Sequence, residues 1–496
     1  IHLSLLAIWR ILLWPFLFSP LRHLPGPPGN SLLMGQVRHV PDERSGIPLN
    51  RWINEIPNDG LLGYRMKFNK ERVFLTSPKA LSEVLVQRNY EFCKPHRLRF
   101  GLGRILGVGL IIAEGDEHKM QRRRLLPAFQ HRHIKDLYPV FWSKAAELSR
   151  ALPVNSASFS IVNITEWITR ATLDIIGVAG MGHDFGAIQN PDNEVSNAYR
   201  DVFDPIHRPS KLAMIASSLT NLLSWYLPIQ PQDAIAIASK QLKSIARRLI
   251  RQKQNVIDQG GKLAATDIVS VAMSSGLFDE EGLANQVLTF LAAGHETTAS
   301  SMSWAILALC NNPQVQSRLR EEVQCRLPNP VTSEKGEGIT AEVIDNLPYL
   351  HAVCNEVLRF YPPAGITKRV ATRTTTILDQ VVPKGTEIVI SMRAVNHSKA
   401  LWGADATEFN PERWMGPGRA NSGGAENNFA YMTFLHGPRS CIGQAFARGE
   451  FACLLAVLVG SFEFELVDHE EVQIVTGLTS RPKGGLKVAM KKTRGW

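Results

Sequence analysis

The chain has 496 residues, 44% of them apolar. That is enough for a large core, and no Gly/Ser- or Pro-rich linker, repeat or low-complexity tract divides it into separate domains. A formal charge of +10 suits a membrane surface or an acidic protein partner. Nucleic acid is excluded as a partner, because no nucleic-acid motif occurs and the basic residues are not interleaved with aromatics. The six cysteines (Cys93, Cys310, Cys325, Cys354, Cys441, Cys453) are scattered without a CxxC pair, which excludes a disulfide framework and points to a reducing compartment.

In chain order, residues 1–18 are apolar around an internal Arg10 and carry Trp9 and Trp14. The run is short for a complete span, and with no initiator Met the chain reads as beginning inside a longer one. No small-residue cleavage site follows; instead comes Leu24-Pro-Gly-Pro-Pro28-Gly. Residues 1–20 are therefore read as the end of a membrane anchor with interfacial aromatics. Residues 21–30 form a stiff Pro/Gly hinge, and 31–496 a single folded domain.

Alternation predicts strands at 61–64 and 72–76, followed by a helix at 78–89. The Gly-rich stretch 93–112 reads as a loop of the kind that contacts a ligand. Helical patterning dominates 116–364 and includes His118-Lys-Met-Gln-Arg122-Arg-Arg-Leu-Leu-Pro-Ala-Phe129. Residues 209–229 are conspicuously apolar, suiting either core packing or a membrane-dipping gate, and precede a basic amphipathic run at 240–253. A long apolar helix at 283–310 holds Ala293-Gly294-His295-Glu296-Thr297-Thr298. There the glycine costs about 1 kcal/mol relative to alanine, and burying the glutamate is expensive. The two hydroxyls compete for backbone carbonyls and open a groove. A simple core helix has no use for this combination.

Glu356 and Arg359 share one helix face, and Phe409-Asn-Pro411-Glu412-Arg413-Trp414 follows. Residues 374–391 read as a hairpin turning at Pro383-Lys-Gly385, and 464–490 as another small sheet with Gly477 at a tip. Between them lies Phe434-Leu-His-Gly437-Pro-Arg439-Ser-Cys441-Ile-Gly443, a cysteine in a glycine-bracketed loop before an apolar helix. A thiolate so placed can be the single axial ligand of a haem iron. Gly437 and Gly443 permit conformations and close approaches closed to other residues. Arg439 offers a fork of donors to a carboxylate, and the helix-start amides are expected to lower the thiol pKa. Strands are few between long helical tracts, so the fold is mainly α with a small β region.

The Cys441 segment resembles the haem-binding signature of the cytochrome P450 family, Phe-x-x-Gly-x-Arg-x-Cys-x-Gly, at every fixed position. The 293–298 string resembles the family's central-helix motif Ala/Gly-Gly-x-Asp/Glu-Thr-Thr. Glu356-x-x-Arg359 and Pro411-Glu-Arg-Trp414 resemble its Glu-x-x-Arg and "PERF" segments, with Trp414 in place of Phe. In its Trp-x-x-x-Arg motif His118 replaces Trp, a form familiar from filamentous fungi. The four motifs fall in family order, and with the hinge and the tail Arg481-Pro-Lys-Gly-Gly-Leu486 the resemblance covers essentially the whole chain.

What the resemblance implies is specific. The fold is the cytochrome P450 fold, with haem b (iron protoporphyrin IX) between the long central helix and the Cys loop, and Cys441 is the iron ligand. Thr297 hydrogen-bonds dioxygen at the iron, Glu296 relays protons to it, and Ala293 faces the same side of the haem. Phe434 and Gly443 flank the cofactor, and His118, Arg122, Arg369 and Arg439 are candidate propionate partners. Glu356, Arg359 and Arg413 form a buried network bracing the Cys loop. His397 has no ligand role and reads as a structural hydrogen-bonding histidine. The pocket walls come from 93–112, 195–230, Ala293, Thr297, 364–367 and 477–479, with 209–229 in the zone that caps the pocket.

The implied protein is of the membrane-bound microsomal type, most like filamentous-fungal monooxygenases. It sits in the endoplasmic reticulum membrane with its catalytic domain facing the cytosol, so the sequons at Asn163 and Asn396 carry no sugar. Electrons come from NADPH through NADPH-cytochrome P450 reductase, with cytochrome b5 as a further donor. Lys119, Arg123 and Arg124 belong to a basic docking face. One oxygen atom enters an apolar small molecule, such as a terpenoid or polyketide secondary metabolite. The alternatives are a fatty-acid or sterol hydroxylase, an isomerase or dehydratase of the same fold that needs no O2, and a haem-binding sensor or carrier. Retention of Glu296 and Thr297 speaks against the last two.

Overall fold

The computed structural model describes residues 2–40, 43–203, 234–259, 267–274, 276, 278–330, 338–468, 472–494 and 496; the expected gate at 209–229 lies outside them. The longer α-helices are α1 (His96–Leu106), α2 (Gly115–Leu125), α3 (Tyr138–Ala151), α4 (Ile164–Ile175) and α5 (Glu194–Phe203). They continue with α6 (Ala234–Asp258), α7 (Glu280–Asn311), α8 (Pro313–Arg326), α9 (Pro348–Phe360) and α10 (Gln444–Ser461). The strands are β1 (Leu61–Arg65), β2 (Glu71–Leu75), β3 (Phe92–Cys93), β4 (Ser160–Asn163), β5 (Ile366–Ala371) and β6 (Thr375–Ile377). They end with β7 (Gln380–Val382), β8 (Glu387–Ser391), β9 (Phe462–Leu466), β10 (Ile474–Thr476), β11 (Ser480–Pro482) and β12 (Lys487–Lys492).

Helix α7 is the axis of the molecule. Asp279 caps it by accepting the Gly282 amide, and Glu280 and Glu281 complement the dipole of its first turn. Apolar around most of its circumference, it has to be enclosed on all sides, and it packs against α4, α6 and α10. Helix α10 is long and apolar enough to cross a membrane, but 78% of its apolar window is buried, which makes it a core helix lying on α3 and α8. The main core runs through Phe141, Trp142, Trp304, Phe451 and Phe462. A second core lies under the sheet around Val73, Leu81, Leu85 and Ile388.

The main sheet has the order β1-β2-β8-β5-β3, with β2 and β8 parallel and the other pairs antiparallel. A smaller sheet, β4-β12-β9, and the hairpins β6-β7 and β10-β11 complete the β region. As expected, Gly477 lies at the β10-β11 tip, where its amide donates to the Thr479 carbonyl at 2.9 Å.

Several local expectations are corrected. The stretch 93–112 is not a loop throughout, because α1 occupies most of it. Its glycines serve a close approach to α7: a Cβ on Gly107 (φ +68°) would sit 1.9 Å from Asn285 Oδ1, and one on Gly109 2.0 Å from Thr289 Oγ1. The hairpin within 374–391 turns at Leu378-Asp379, not at Pro383-Lys-Gly385. Both turn residues are left-handed (φ 49° and 65°), as a two-residue hairpin turn requires. Leucine is a poor residue for that conformation, but its amide donates to Glu83 Oε2 at 3.0 Å, a tertiary contact that local propensity does not register. Gly385 instead serves the connection into β8, donating to the Ala371 carbonyl.

At the N-terminus, His2–Ile8 is α-helical and Trp9–Phe18 continues as a π-helix around Pro15. Leu5, Leu6, Leu17 and Phe18 are exposed. The segment leans on the β1-β2 turn, where Asn69 Nδ2 donates to the Ile11 carbonyl at 2.8 Å and Arg65 stacks over Phe16. The Pro/Gly run does not stand free: the Gly63 amide donates to the Pro25 carbonyl at 2.8 Å, along β1.

Candidate active site

One cavity of about 1580 Å3 collects nearly all the residues singled out by sequence: His118, Arg122, Ala293, Thr297, Arg369, Phe434, Arg439, Cys441 and Gly443 line it. Its other walls are mostly apolar and come from the expected segments, including Leu98, Leu102 and Ile105 of α1, Val202 of α5, Ala364–Thr367 and the β10-β11 tip. Glu296 does not line it.

The Cys loop is tightly specified. The Cys441 amide donates to the Phe434 carbonyl at 2.8 Å, and Arg122 of α2 donates through Nη1 to the Ser440 carbonyl at 2.7 Å and through Nη2 to Ser440 Oγ. Gly437 (φ +77°) is obligatory, since a Cβ there would lie 2.2 Å from the Leu85 carbonyl oxygen. Gly443 is not, on conformational grounds: its φ of −88° is open to any residue, and a Cβ would meet only the Phe129 ring at an ordinary 3.7 Å. The Cys441 thiol pKa is raised, not lowered as expected. Desolvation by the surrounding walls pushes it up, although the side chain is open to the cavity, and the Gly443 amide and Arg122 pull the other way without prevailing.

The network bracing this loop has the expected members. Arg359 donates Nε and Nη2 to the two oxygens of Glu356 at 2.8 Å, and reaches the carbonyls of Asn396, Ala406 and Glu408 at 2.7–2.8 Å. Arg413 Nε lies 3.5 Å from Glu356 Oε1. Trp414 makes a contact that a phenylalanine could not: its indole donates to Glu356 Oε2 at 2.9 Å. The connection to the Cys loop runs through Asn396, which sequence reasoning treated only as a sequon. Its carbonyl accepts from Arg359, its Nδ2 donates to Thr433 Oγ1 at 2.9 Å, and its Oδ1 accepts the Met432 amide at 2.8 Å. Fully buried and engaged at both ends of its amide, Asn396 cannot carry a sugar. His397 is structural as expected, set between the Phe360 carbonyl and Asn50.

On α7 the motif lies within an unbroken helix, and its hydroxyls compete for backbone carbonyls as expected. Thr297 Oγ1 donates to the Ala293 carbonyl at 2.7 Å and Ser301 to that of Thr297 at 3.0 Å. Gly294 is needed for packing, because a Cβ would lie 2.8 Å from Ile176 Cδ1. Glu296 points away from the cavity and is buried between α5 and the β10-β11 tip. It accepts from Tyr199 Oη and from Thr479 Oγ1, both at 2.9 Å. Burial, with Glu296 adding to it, raises the Tyr199 phenol well above its ordinary value, so it stays a neutral donor. Tyr199 and Thr479 fall in segments expected to wall the pocket, but nothing in the sequence marked them as partners of Glu296. Glu450 did carry a sequence signal: it is a glutamate in the apolar run of α10, fully buried, with Thr298 donating to it at 2.9 Å and burial holding its carboxyl protonated.

At the other end of the cavity lies a cationic cluster. His118 is buried, its Nδ1 3.1 Å from Tyr90 Oη. Burial, then Lys94, Arg439 and Arg122, push its pKa down to about 4. It is therefore a neutral imidazole, and in the tautomer whose Nδ1 accepts the Tyr90 proton its Nε2 carries the hydrogen and can donate. Arg369 is lowered to about 10 by burial and by Arg439. Lys94 is lowered to about 7 by burial, with Glu114 opposing and Arg369 and Arg439 adding. Arg439, expected to face a propionate with its fork, is instead paired through both Nη atoms with Glu114. Of the expected docking residues, Arg123 is exposed, Lys119 is exposed but paired with Asp116, and Arg124 packs over Phe278.

The donor set fits a haem. A single soft thiol faces an apolar chamber of sufficient size, and the cations Lys94, Arg122, Arg369 and Arg439, with Glu114 paired to Arg439, call for anions. The buried Arg439 Nε also lacks a hydrogen-bond partner.

The family described as Cytochrome P450 matches residues 60–489. Among similar proteins is "Cytochrome P450 monooxygenase sphH" of Aspergillus fumigatus, 45% identical over 99% of this chain and 91% of the relative. "Cytochrome P450 monooxygenase FUM15" of Gibberella moniliformis is 40% identical over 98% and 90% respectively. "Cytochrome P450 monooxygenase ALT8" of Alternaria alternata is 41% identical over 99% and 92%.

Proposed function

This chain belongs to the cytochrome P450 family and is a monooxygenase, and from that premise we propose that it hydroxylates an apolar small molecule with NADPH electrons delivered by NADPH-cytochrome P450 reductase, cytochrome b5 serving as a further donor. The balance is R–H + O2 + NADPH + H+ → R–OH + H2O + NADP+. A terpenoid or polyketide secondary metabolite fits the mostly apolar wall formed by Leu98, Leu102, Ile105, Val202, Ala364 and Leu478. The observation that carries the reading is the gathering of Cys441, Ala293, Thr297 and the cationic set on one cavity.

When bound, haem b supplies the activation of dioxygen and the transfer of one oxygen atom to carbon. Cys441 would ligate its iron, and Arg369, His118 and Arg439 would hold its propionates, with Arg122 completing the Cys loop. Thr297 Oγ1, which donates to the Ala293 carbonyl at the cavity wall, would supply a hydroxyl proton donor there by turning toward the cavity. Glu296 stands one step behind the cavity, hydrogen-bonded by Tyr199 and Thr479, and would communicate with it through those hydroxyls or by rotation of its side chain. The exposed apolar N-terminal helix supports an anchor in the endoplasmic reticulum membrane, with the body in the cytosol.

Reconstituted with reductase, the enzyme is expected to form product only with NADPH and O2 both present; product formation that survives their omission sinks the monooxygenation reading. Cys441→Ala is expected to lose the reduced-CO Soret band diagnostic of thiolate ligation. Thr297→Ala should divert electrons to peroxide by about tenfold or more, read as the ratio of H2O2 to product, and unchanged coupling would remove Thr297 from proton delivery.

A further inference from the structure

Among Lys94, Arg122, Arg369 and Arg439, it is Arg439 whose two terminal nitrogens are both held by a carboxylate; those of Arg122 go to Ser440. Nη1 donates to Glu114 Oε1 at 2.8 Å and Nη2 to Glu114 Oε2. The Arg439 side chain is 2% exposed and that of Glu114 12%. The carboxylate is itself tied down: Oε1 accepts the Lys94 amide at 2.9 Å, and Lys94 Nζ lies 3.7 Å away. The guanidinium is held from another side by the Tyr90 ring, 5.1 Å from its carbon, and Tyr90 Oη reaches His118. What remains is Nε, buried and without a partner. A bidentate fork fixes the plane of a guanidinium, so locking one edge determines where the last N–H points.

The charge of the cluster adds a second argument. Lys94, Arg122, Arg369 and Arg439 line the cavity, and Glu114 is paired with Arg439. Burial alone would raise the Glu114 carboxyl, but its bonds to Arg439 and to the Lys94 amide outweigh that and keep it ionised. A fixed negative charge beside a haem favours the more positive, oxidised iron, and its removal favours reduction.

We propose that Glu114 is a positioning residue for the haem, a carboxylate built into the chain that locks the Arg439 fork so that Nε–H is the donor offered to a propionate, and whose charge holds the haem potential down. This rests on the haem reading of the cavity. It also revises the sequence-based view of Arg439, in which the fork itself grips the propionate.

The test uses the full haem-loaded chain with Glu114→Gln and Glu114→Asp, reading the haem midpoint potential and the rate of haem transfer to excess apomyoglobin. Glu114→Gln removes the charge and half the lock; its potential is expected to rise and haem transfer to quicken about tenfold, the size of one charge-assisted hydrogen bond. Glu114→Asp keeps the charge but is too short for the lock, so transfer should quicken with the potential unchanged. Wild-type values of both quantities in Glu114→Gln overturn the proposal. Should that variant fail to accumulate, a wild-type transfer rate in Glu114→Asp overturns it equally. A wild-type chain that takes up no haem, or shows no thiolate CO spectrum, would instead refute the haem reading itself.

Discussion

Two buried charge clusters flank the cavity, and they are built on opposite principles. Around Glu356 the cluster is closed, each charge facing an opposite one: every N–H of Arg359 has an acceptor, both Glu356 oxygens are multiply bonded by Arg359, Asn410 and Trp414, and Arg413 Nε, though without a hydrogen bond, lies 3.5 Å from Glu356 Oε1. Around Arg439 the cluster is open. Lys94, Arg122, Arg369 and Arg439 line the cavity with Glu114 paired to Arg439, Arg369 and Lys94 are destabilised as cations, and the buried Arg439 Nε–H is unsatisfied. A low-dielectric interior tolerates charge only when it is paired. A closed cluster is thus a structural element, and an open one marks a place built for an anion that the polypeptide does not supply.

The comparison can be broken first at its closed member. Arg359→Ala should destabilise the fold by about 3–5 kcal/mol, because Glu356 is left charged and buried while three carbonyls lose their donor. Denaturant unfolding measures this, and a loss under about 1 kcal/mol would mean the cluster is not closed in the sense argued. The open member should behave in the reverse way. Arg369→Met removes a desolvated cation repelled by Arg439, so the haem-free chain should keep its unfolding free energy or gain slightly. Haem affinity should nevertheless fall about tenfold, the worth of one charge-assisted hydrogen bond to a propionate. A matching fall in stability of the haem-free chain would place Arg369 with the structural residues.

The smallest effect concerns pH. His118 titrates at about 4 when folded, against about 6.5 in an unfolded chain. Between those values the unfolded state binds more protons, so stability rises with pH across the window and is lost as pH falls from about 6.5 to about 4. His118→Gln should flatten that slope in the haem-free chain. The slope will not vanish, since buried His397, lowered to about 3, contributes in the same sense.

Much of this was legible in the residues. The thiol loop, the Glu-Thr-Thr helix, the Glu356–Arg359–Arg413 group and the walls of the pocket all announce themselves by residue types that a plain core would not tolerate. Glu450 would have yielded to the same reasoning, being a carboxyl in an otherwise apolar helix. The partners were not legible. Tyr199 and Thr479 meet Glu296 from segments about a hundred residues or more away on either side, and Glu114 meets Arg439 across 325 positions. Asn396 links the closed cluster to the Cys loop by hydrogen bonds that no spacing encodes. The Leu378-Asp379 turn shows the converse: Pro-Lys-Gly was the stronger local signal, and a tertiary bond from the Leu378 amide to Glu83 decided the conformation.

From sequence alone, then, came the family, the mainly helical fold and the cofactor chemistry, because those depend on residue types at short spacings that any folded state must accommodate. Only the tertiary structure decided which way each charged group faces. Glu296 turns from the cavity, Arg439 is engaged by Glu114, and Cys441 opens on to the cavity. Direction and pairing are set by what packs opposite a side chain, and in a buried site the partner, more than the residue itself, governs the charge it carries and the donor it presents.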